Sequence, residues 1–334
     1  MPGVRTGPEH GPWRHRPPQF TAPPATGVRL DWHAVPAAVR ARVEHDILGS
    51  PVVGARTQAG GFSPGVAARL TLADGTRAFV KAVSADANPH SPELHRREAR
   101  NTAALPPGVP APHLLGSYDD GTWVVLVLED VEGVQPRIPW RRDELDRVLA
   151  ALAGLSAALT PAPYDAPRTE EADAQTFRGW RQRLESGEWD GLDPWAAANL
   201  PRLIELSSRW AEFAHGDTLC HADLRADNIL LTPDGGAVFV DWPHAVRAVA
   251  WFELLVMLPS VAAQGGGDPE EIFAAHPSAA GADPDGVTCV LAALAGYFVH
   301  HSLLPAPPGL PTLRPFQGVQ GAVAVAWLRR RLGE

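Results

Sequence analysis

The sequence has few cysteines and no excess of basic residues, and both shortages exclude classes of protein. Its 334 residues contain two cysteines, Cys220 and Cys289, which are far apart and lack metal-ligand spacing. Neither a disulfide framework nor a cysteine zinc site is therefore expected, and a reduced, cytoplasmic setting is predicted. The formal net charge of -9 argues against a nucleic-acid-binding protein, which would carry a basic patch or stripe.

Long apolar runs are also missing. Of the two most apolar stretches, residues 246–263 are interrupted by Glu253 and Pro259, and residues 287–304 contain a histidine pair near their end. The N-terminus has no signal-peptide core. We therefore predict no membrane span. With 45% hydrophobic and 20% charged residues, the composition is that of a soluble globular protein that is long enough for two lobes.

Lysine is scarcer still, because the chain uses arginine almost everywhere and has a single lysine, Lys81. A general shortage of lysine does not explain this exception. Lys81 ends the strand-like run 77–81, and a lysine on a strand is the residue with which kinases hold the phosphates of a nucleotide. Because an ammonium group cannot simply be exchanged for a planar guanidinium, Lys81 is predicted to bind the α- and β-phosphates.

The strongest functional pattern lies in residues 220–242. His221, Asp223 and Asn228 form the pattern H-x-D-x-x-x-x-N, and an apolar, β-rich run then leads to Asp241. Phosphoryl transfer needs a carboxylate that orients the attacking hydroxyl group, and oxygen ligands that hold Mg²⁺ against the phosphates. Asp223 suits the first role, as the catalytic base, and Asn228 with Asp241 suits the second.

This pattern resembles the aminoglycoside phosphotransferase family, whose small-molecule kinases share the two-lobed fold of protein kinases. Trp242 follows Asp241 where protein kinases have phenylalanine, and Ala222 stands where a more common form of the family loop, H-G-D, has glycine. Residues 215–217 spell H-G-D, but an alanine occupies the asparagine position, so we interpret them as incidental. The resemblance also places Arg225 where many protein kinases have a lysine that faces the γ-phosphate.

Features upstream complete the predicted nucleotide site. A glycine-rich turn between strand-like runs would let backbone amides approach phosphates, and its candidate residues are Gly60, Gly61, Ser63 and Gly65. The next helix offers a glutamate to orient Lys81; the resemblance favours Glu98, with Glu93 as the alternative. By the same resemblance, Glu129 and Val131 belong to the hinge whose backbone groups hold the adenine edge.

The resemblance implies an α+β, two-lobed protein-kinase-like fold. Residues 1–28 are rich in proline and are predicted to be a disordered arm. Residues 29–130 are expected to form a small, nucleotide-binding lobe of five antiparallel strands and one helix. Residues 131–334 are expected to form a larger helical lobe for catalysis and acceptor binding, because apolar residues recur with a helical period from residue 143 onward.

Together these features predict a kinase that uses Mg²⁺ to transfer the γ-phosphoryl group of ATP or GTP to a hydroxyl group of a small molecule. The resemblance suggests an aminoglycoside-like or other antibiotic as acceptor, which could be cationic. A kinase for homoserine, choline or a sugar would share the same catalytic residues, and a nucleotide-binding pseudokinase is the non-enzymatic alternative. Carboxylates of the helical lobe meet the antibiotic in the family; the acids available here are Asp268, Glu270, Glu271, Asp283, Asp285 and Glu334.

Overall fold

A computed structural model describes residues 22–25, 29–62, 65–86, 88–89, 91–187 and 190–334. Most of the predicted arm lies outside the described residues, and Ser63 lies outside them as well. In the part of the chain that is described, no helix is long and apolar enough to cross a membrane.

The N-terminal part is built on a six-stranded sheet. Its strands are β1 (Arg29–Leu30), β2 (Val52–Thr57), β3 (Gly65–Leu72), β4 (Arg77–Ser84), β5 (Leu114–Asp119) and β6 (Trp123–Glu129). They follow the order β1-β3-β4-β6-β5, with β2 also paired to β3. The five predicted antiparallel strands are β2 to β6; the sheet also contains β1, which was not predicted and pairs with β3 in parallel. Two residues are too few to show an alternating pattern, so the sequence gives no sign of this strand.

Helices cover both faces of this sheet. On one face, a 3-10 turn (Trp32–Ala34) and helix α1 (Ala37–Val43) bury apolar side chains against the sheet. On the other face, α2 (Ser91–Ala104) packs on strands β4, β5 and β6. Strand β6 therefore has apolar neighbours on both sides, and Val124–Leu128 are all buried, as its continuous apolar run predicts.

The C-terminal part is mainly helical, as its periodicity predicts. Its helices are α3 (Arg142–Ala158), α4 (Thr169–Ala172), α5 (Gly179–Ser186), α6 (Pro194–Ala198), α7 (Leu200–Ser208), α8 (Trp210–Ala214), α9 (Phe252–Ala263), α10 (Pro269–Ala275), α11 (Pro284–Ser302) and α12 (Leu313–Arg331). Four short strands interrupt the helices: β7 (Thr218–Cys220), β8 (Ile229–Leu231), β9 (Ala237–Phe239) and β10 (Val246–Ala248).

Helix α11 is the centre of this helical part. It packs against α5, α7, α8 and α12, and its residues 289–296 are all buried. The closest approach is at Gly179, where a Cβ atom would overlap the main-chain carbonyl of Gly296. The indole of Trp180 lies beside Gly296 and donates a hydrogen bond of 2.7 Å to Ala292 O. This packing holds the helices on which one wall of the site described below is built.

Candidate active site

Two cavities of about 950 Å³ each meet at the catalytic loop, residues 221–228. The sheet-side cavity lies under the sheet and is lined by Lys81 and Asn228. The helix-side cavity lies among the helices and is lined by Asp223 and Arg225. Asp241 lines both cavities. A molecule in one cavity and a molecule in the other would therefore approach each other at the predicted catalytic residues.

Two antiparallel ribbons position the catalytic loop. Strand β7 pairs with β10, and β8 pairs with β9, so the loop leaves one ribbon at His221 and enters the other at Ile229. His221 Nε2 lies 2.9 Å from the main-chain oxygen of Val240, which joins the loop to the segment that carries Asp241. The buried ring of Trp242 lies 4.7 Å from the imidazole ring of His221. The tryptophan after Asp241 thus supports the loop from below.

Lys81 lies at the centre of a buried ionic cluster. Its Nζ atom donates to both oxygens of Glu98, at 2.7 and 2.9 Å, and to Oδ1 of Asp241, at 2.6 Å. Strand β4 supplies the lysine and helix α2 supplies Glu98. The other glutamate that we considered, Glu93, instead pairs with arginines of its own helix. The cluster thus joins sheet, helix and catalytic segment through one ammonium group.

Burial and charge act in opposite directions on the pKa values of this cluster. Burial alone would lower the pKa of Lys81, but the carboxylates of Asp241 and Glu98 raise it above its ordinary value. Burial raises the pKa of Glu98 to about 7, with the ammonium group partly offsetting this effect. The pKa of Asp241 is lowered, because the attraction of Lys81 outweighs burial. Lys81 therefore remains a cation within this cluster.

In the catalytic loop, Asp223 is held by its neighbours. Arg225 Nη1 donates to Asp223 Oδ1, and the same guanidinium pairs with Asp227 at 3.0 Å. Asn228 Nδ2 donates a hydrogen bond of 2.9 Å to the main-chain oxygen of Asp223. Arg225 lines the helix-side cavity rather than the sheet-side cavity. In this structure the arginine thus orients Asp223, and its predicted contact with a γ-phosphate stays a prediction.

Ala222 and Glu253 explain how this loop tolerates its departure from the family pattern. Ala222 has φ +63°, a left-handed conformation that favours glycine. Its main-chain N–H donates a hydrogen bond of 2.9 Å to Glu253 Oε2, so the glutamate braces the loop. Burial raises the pKa of Glu253 to about 7, against the opposing effect of this hydrogen bond.

The residues present fit a magnesium ion that arrives with a nucleotide. The amide nitrogen of Asn228 donates to Asp223, which makes the amide oxygen its ligand atom, and one carboxylate oxygen of Asp241 contacts Lys81. Within the described ranges, no group of three or more histidine, cysteine, aspartate or glutamate side chains could hold a metal ion. Mg²⁺ bound to a nucleotide typically takes only one or two protein ligands, so two hard oxygen donors suffice.

Of the other residues predicted to contact the nucleotide, four line the sheet-side cavity and Gly65 does not. Gly60, Gly61, Glu129 and Val131 line the sheet-side cavity. Gly65 is outside its lining; with φ +102°, it begins β3 where a Cβ atom would be 2.5 Å from Ala82 O. The close approach of two strands therefore accounts for this glycine. The H-G-D sequence at 215–217 lines neither cavity.

Two features of the site were not predicted from the sequence. Arg29 lines the sheet-side cavity, although its strand has only two residues. The wall of the helix-side cavity comes from separate segments, with Tyr164, Asp173, Tyr297 and Phe316 among its residues. No local spacing links these four positions, so only the folded chain brings them together.

Comparisons with known structures identify the fold. An aminoglycoside phosphotransferase from Alicyclobacillus acidocaldarius subsp. acidocaldarius DSM 446 is 16% identical, with a TM-score of 0.53 over 86% of this chain and 95% of that chain. Aminoglycoside phosphotransferase APH(4)-Ia is 15% identical, with a TM-score of 0.57 over 87% and 98%. Choline kinase LicA from Streptococcus pneumoniae is 12% identical, with a TM-score of 0.56 over 88% and 98%. These likenesses confirm the α+β, two-lobed kinase-like fold.

Comparison of sequences is narrower in scope but decides the family. No curated protein sequence matches the chain. The profile of the phosphotransferase enzyme family (APH), however, matches residues 55–287, which is more than half of the chain and includes both Lys81 and the whole catalytic loop. The chain therefore belongs to the APH phosphotransferase enzyme family.

Proposed function

We propose that this protein is a small-molecule kinase that transfers the γ-phosphoryl group of ATP or GTP to a hydroxyl group. The observation that carries the proposal is the meeting of two cavities at Asp223 and Asp241, with Lys81 on the sheet side. Nucleotide in one cavity and acceptor in the other would place the two reacting groups beside the same carboxylates. Such positioning, with electrostatic stabilisation, supplies most of the catalysis in phosphoryl transfer.

Each residue then has a defined task. Lys81 binds the α- and β-phosphates, with Glu98 orienting its ammonium group, and Asn228 and Asp241 would hold Mg²⁺, which neutralises charge on the phosphates when bound. Asp223 accepts a hydrogen bond from the acceptor hydroxyl group and takes its proton as the new P–O bond forms and the bond to the β-phosphate oxygen breaks. The products are a phosphate ester and a nucleoside diphosphate.

The structural neighbours support a nucleotide and a hydroxylated acceptor. A thermostable APH(4)-Ia variant was solved with ADP and hygromycin B, and LicA was solved with AMP. An antibiotic acceptor, and with it a role in antibiotic resistance, is the interpretation that the family resemblance favours, and a metabolite such as homoserine, choline or a sugar is the alternative. A pseudokinase interaction module is disfavoured, because it would be expected to lack at least one of the residues that bind phosphates, metal or the acceptor proton.

Mass spectrometry of compounds incubated with the protein, Mg²⁺ and ATP or GTP tests this function. The panel contains hydroxylated antibiotics and metabolites, and Asp223→Asn is the control. A gain of one phosphoryl group with the wild type, and at least about 100-fold less with the variant, is expected for the loss of a catalytic base. Nucleotide binding without transfer, and without any hydrolysis that depends on Asp223, would instead indicate a pseudokinase.

A further inference from the structure

The carboxylates that line the helix-side cavity are mostly neutralised by cations of the protein itself. Glu98 and Asp241 share Lys81, and Asp223 pairs with Arg225. Asp165 pairs with Arg247 at 2.8 Å. Because cations of the protein already pair with these four carboxylates, they would attract a cationic acceptor less strongly than unpaired carboxylates would.

Asp173 is the exception in this cavity. Its carboxylate accepts a hydrogen bond of 2.9 Å from Thr169 Oγ1, and among the described residues it has no salt bridge to lysine or arginine. Burial raises its pKa, and the hydrogen bond from Thr169 and the nearby imidazole of His244 partly offset the shift. One such carboxylate could hold one ammonium group, but it could not match the several ammonium groups of an aminoglycoside.

The six acids that the helical lobe offers in the sequence do not line the helix-side cavity, and some of them make other contacts. Asp268 caps α10 and pairs with Arg330, and Glu270 pairs with Arg331 at 2.6 Å. None of the six C-terminal acids named above lines the helix-side cavity. None of these acids therefore contributes a negative charge to the wall of this cavity.

Arg97 and Arg100 also line the cavity and pair with Glu93 of their own helix. Most of the remaining wall is apolar or uncharged and polar. Aromatic rings from six segments line it, including Phe62 from the glycine-rich turn, Tyr164, Tyr297 and Phe316. Phe62 and Phe316 contact each other edge to face, with ring centroids 5.3 Å apart. Amide and imidazole side chains supply further hydrogen-bonding groups, among them Gln317 and His301. Such a wall suits a ligand with an apolar face and hydroxyl groups.

We propose that the acceptor is an uncharged, hydroxylated molecule with an apolar or aromatic body, and not a polycationic aminoglycoside. The inference rests on the proposed function for the identification of the helix-side cavity as the acceptor site. Aromatic rings and neutral polar groups supply its affinity, and Asp223 receives the hydroxyl group that reacts.

Binding measurements test this inference separately from transfer. Isothermal titration calorimetry with Mg²⁺ and a non-hydrolysable ATP analogue compares two neutral probes, 4-nitrophenyl β-glucoside and chloramphenicol, with hygromycin B and kanamycin. The neutral probes are expected to bind at least about tenfold more tightly, which corresponds to 1.4 kcal/mol. Equal or tighter binding of the polycations, or no binding of either neutral probe, would overturn the inference.

Variants locate the binding site. Tyr297→Leu and Phe62→Leu are each expected to lower the affinity for the neutral probes about tenfold, because each removes one aromatic ring from the cavity wall. Asp173→Asn should change their affinity less than twofold; a larger loss would show that Asp173 binds a cationic or hydrogen-bonding group and would contradict the inference. Thermal unfolding verifies that each variant is folded. Neutral probes that bind but gain no phosphoryl group would count against the proposed kinase activity and leave the binding class intact.

A second, independent observation concerns Arg29, which precedes the family-matched residues 55–287. Strand β1 pairs in parallel with β3, with Arg29 opposite Gly65. This pairing places the guanidinium group over the glycine-rich turn, where Nη2 donates to Gly60 O. A Cβ atom at Gly61 would lie 2.8 Å from the same nitrogen. The arginine therefore occupies the part of the sheet-side cavity that the turn covers.

The charges around Arg29 point to the phosphates. Burial lowers its pKa, and the carboxylates of Asp241 and Asp227 oppose this effect from the catalytic segments. A guanidinium group between a glycine turn and the predicted metal ligand is well suited to phosphate oxygens, which it can bind with two parallel hydrogen bonds. We infer that Arg29 is a second phosphate-binding cation, which the segment before the family-matched region adds to the nucleotide site.

Comparison of ADP with adenosine tests this role. Arg29→Ala is expected to raise the Kd of Mg-ADP about tenfold, because a charged hydrogen-bonding partner of the phosphates is lost, and to leave that of adenosine within twofold. Arg42→Ala is the matched control, since Arg42 lies in the same segment but pairs with Asp46 at the surface. An unchanged Kd for ADP, or equal losses for ADP and adenosine, would show that Arg29 only supports the fold of the turn.

Discussion

Replacement of Glu253 by glutamine should change how the stability of the protein depends on pH. Glu253 lies in the first turn of helix α9, is 3% exposed and accepts a hydrogen bond from the main-chain N–H of Ala222. Glutamine has the same shape and retains an oxygen that can accept this hydrogen bond, but it cannot ionise. The substitution therefore isolates the electrostatic cost of a buried carboxylate beside the catalytic loop.

The size of the effect follows from the pKa of Glu253, which burial raises from 4.5 to about 7. A carboxyl group whose pKa is raised in the folded state takes up a proton on folding. Its contribution to the free energy of unfolding is therefore most favourable below the pKa of the unfolded state, and it is lost as the pH rises through the pKa of the folded state. The whole shift corresponds to about 3 kcal/mol, and about 2–3 kcal/mol of this falls between pH 5 and pH 8.

Urea unfolding at pH 5, 6, 7 and 8 measures the difference. The free energy of unfolding of the wild type should fall relative to Glu253→Gln by this amount as the pH rises. Glu144→Gln is the matched control, because Glu144 is also a buried helical glutamate but pairs with Arg137. Parallel pH profiles for the wild type and Glu253→Gln would refute the argument that Glu253 is buried without a compensating charge.

Three further substitutions test other contacts of the structure. Lys81→Met should lower the free energy of unfolding in urea by about 3–5 kcal/mol and abolish phosphoryl transfer, because two buried carboxylates lose their cation. Adding Glu98→Leu should recover part of this stability, and no recovery would contradict the reasoning. Gly179→Ala should cost more than about 2 kcal/mol through its overlap with Gly296, whereas Gly154→Ala, a helical position with open space, should gain about 0.5–1 kcal/mol. Ala222→Val should lose about 2 kcal/mol relative to Ala222→Gly, because a β-branched residue tolerates φ +63° poorly; equal thermal stability of the two would show that the loop relaxes.

That His221, Asp223, Asn228 and Asp241 lie close together could be predicted, because the pattern that they form is local in sequence. His221, Asp223 and Asn228 lie on one loop, and the strand after it brings Asp241 back beside His221. Lys81 could be singled out because it is the only lysine of the chain. In these cases residue type and spacing carry the information, and the fold only has to bring two short segments together.

The wall of the helix-side cavity and strand β1 could not be predicted, because their residues are distant in sequence or form no pattern. Tyr164, Tyr297 and Phe316 are separated by more than a hundred residues or lie on different helices, and each alone looks like an ordinary core aromatic. The C-terminal acids seemed available in the sequence because their partners, such as Arg330 for Asp268, lie about sixty residues away. Arg29 was placed by a two-residue strand that has no periodicity.

The ionic cluster at Lys81 connects these findings with nucleotide binding. The ammonium group contacts both Glu98 and Asp241, so under the proposed function phosphates would compete with Asp241 for Lys81. Glu98 is 2% exposed and would keep the lysine in place under the proposed function, and Asp241 would then be available as a ligand for Mg²⁺. A guanidinium group could not make the same exchange in one position, because its donors form a fixed planar fork rather than a compact charge. We infer that this requirement explains the one lysine in a chain that otherwise relies on arginine.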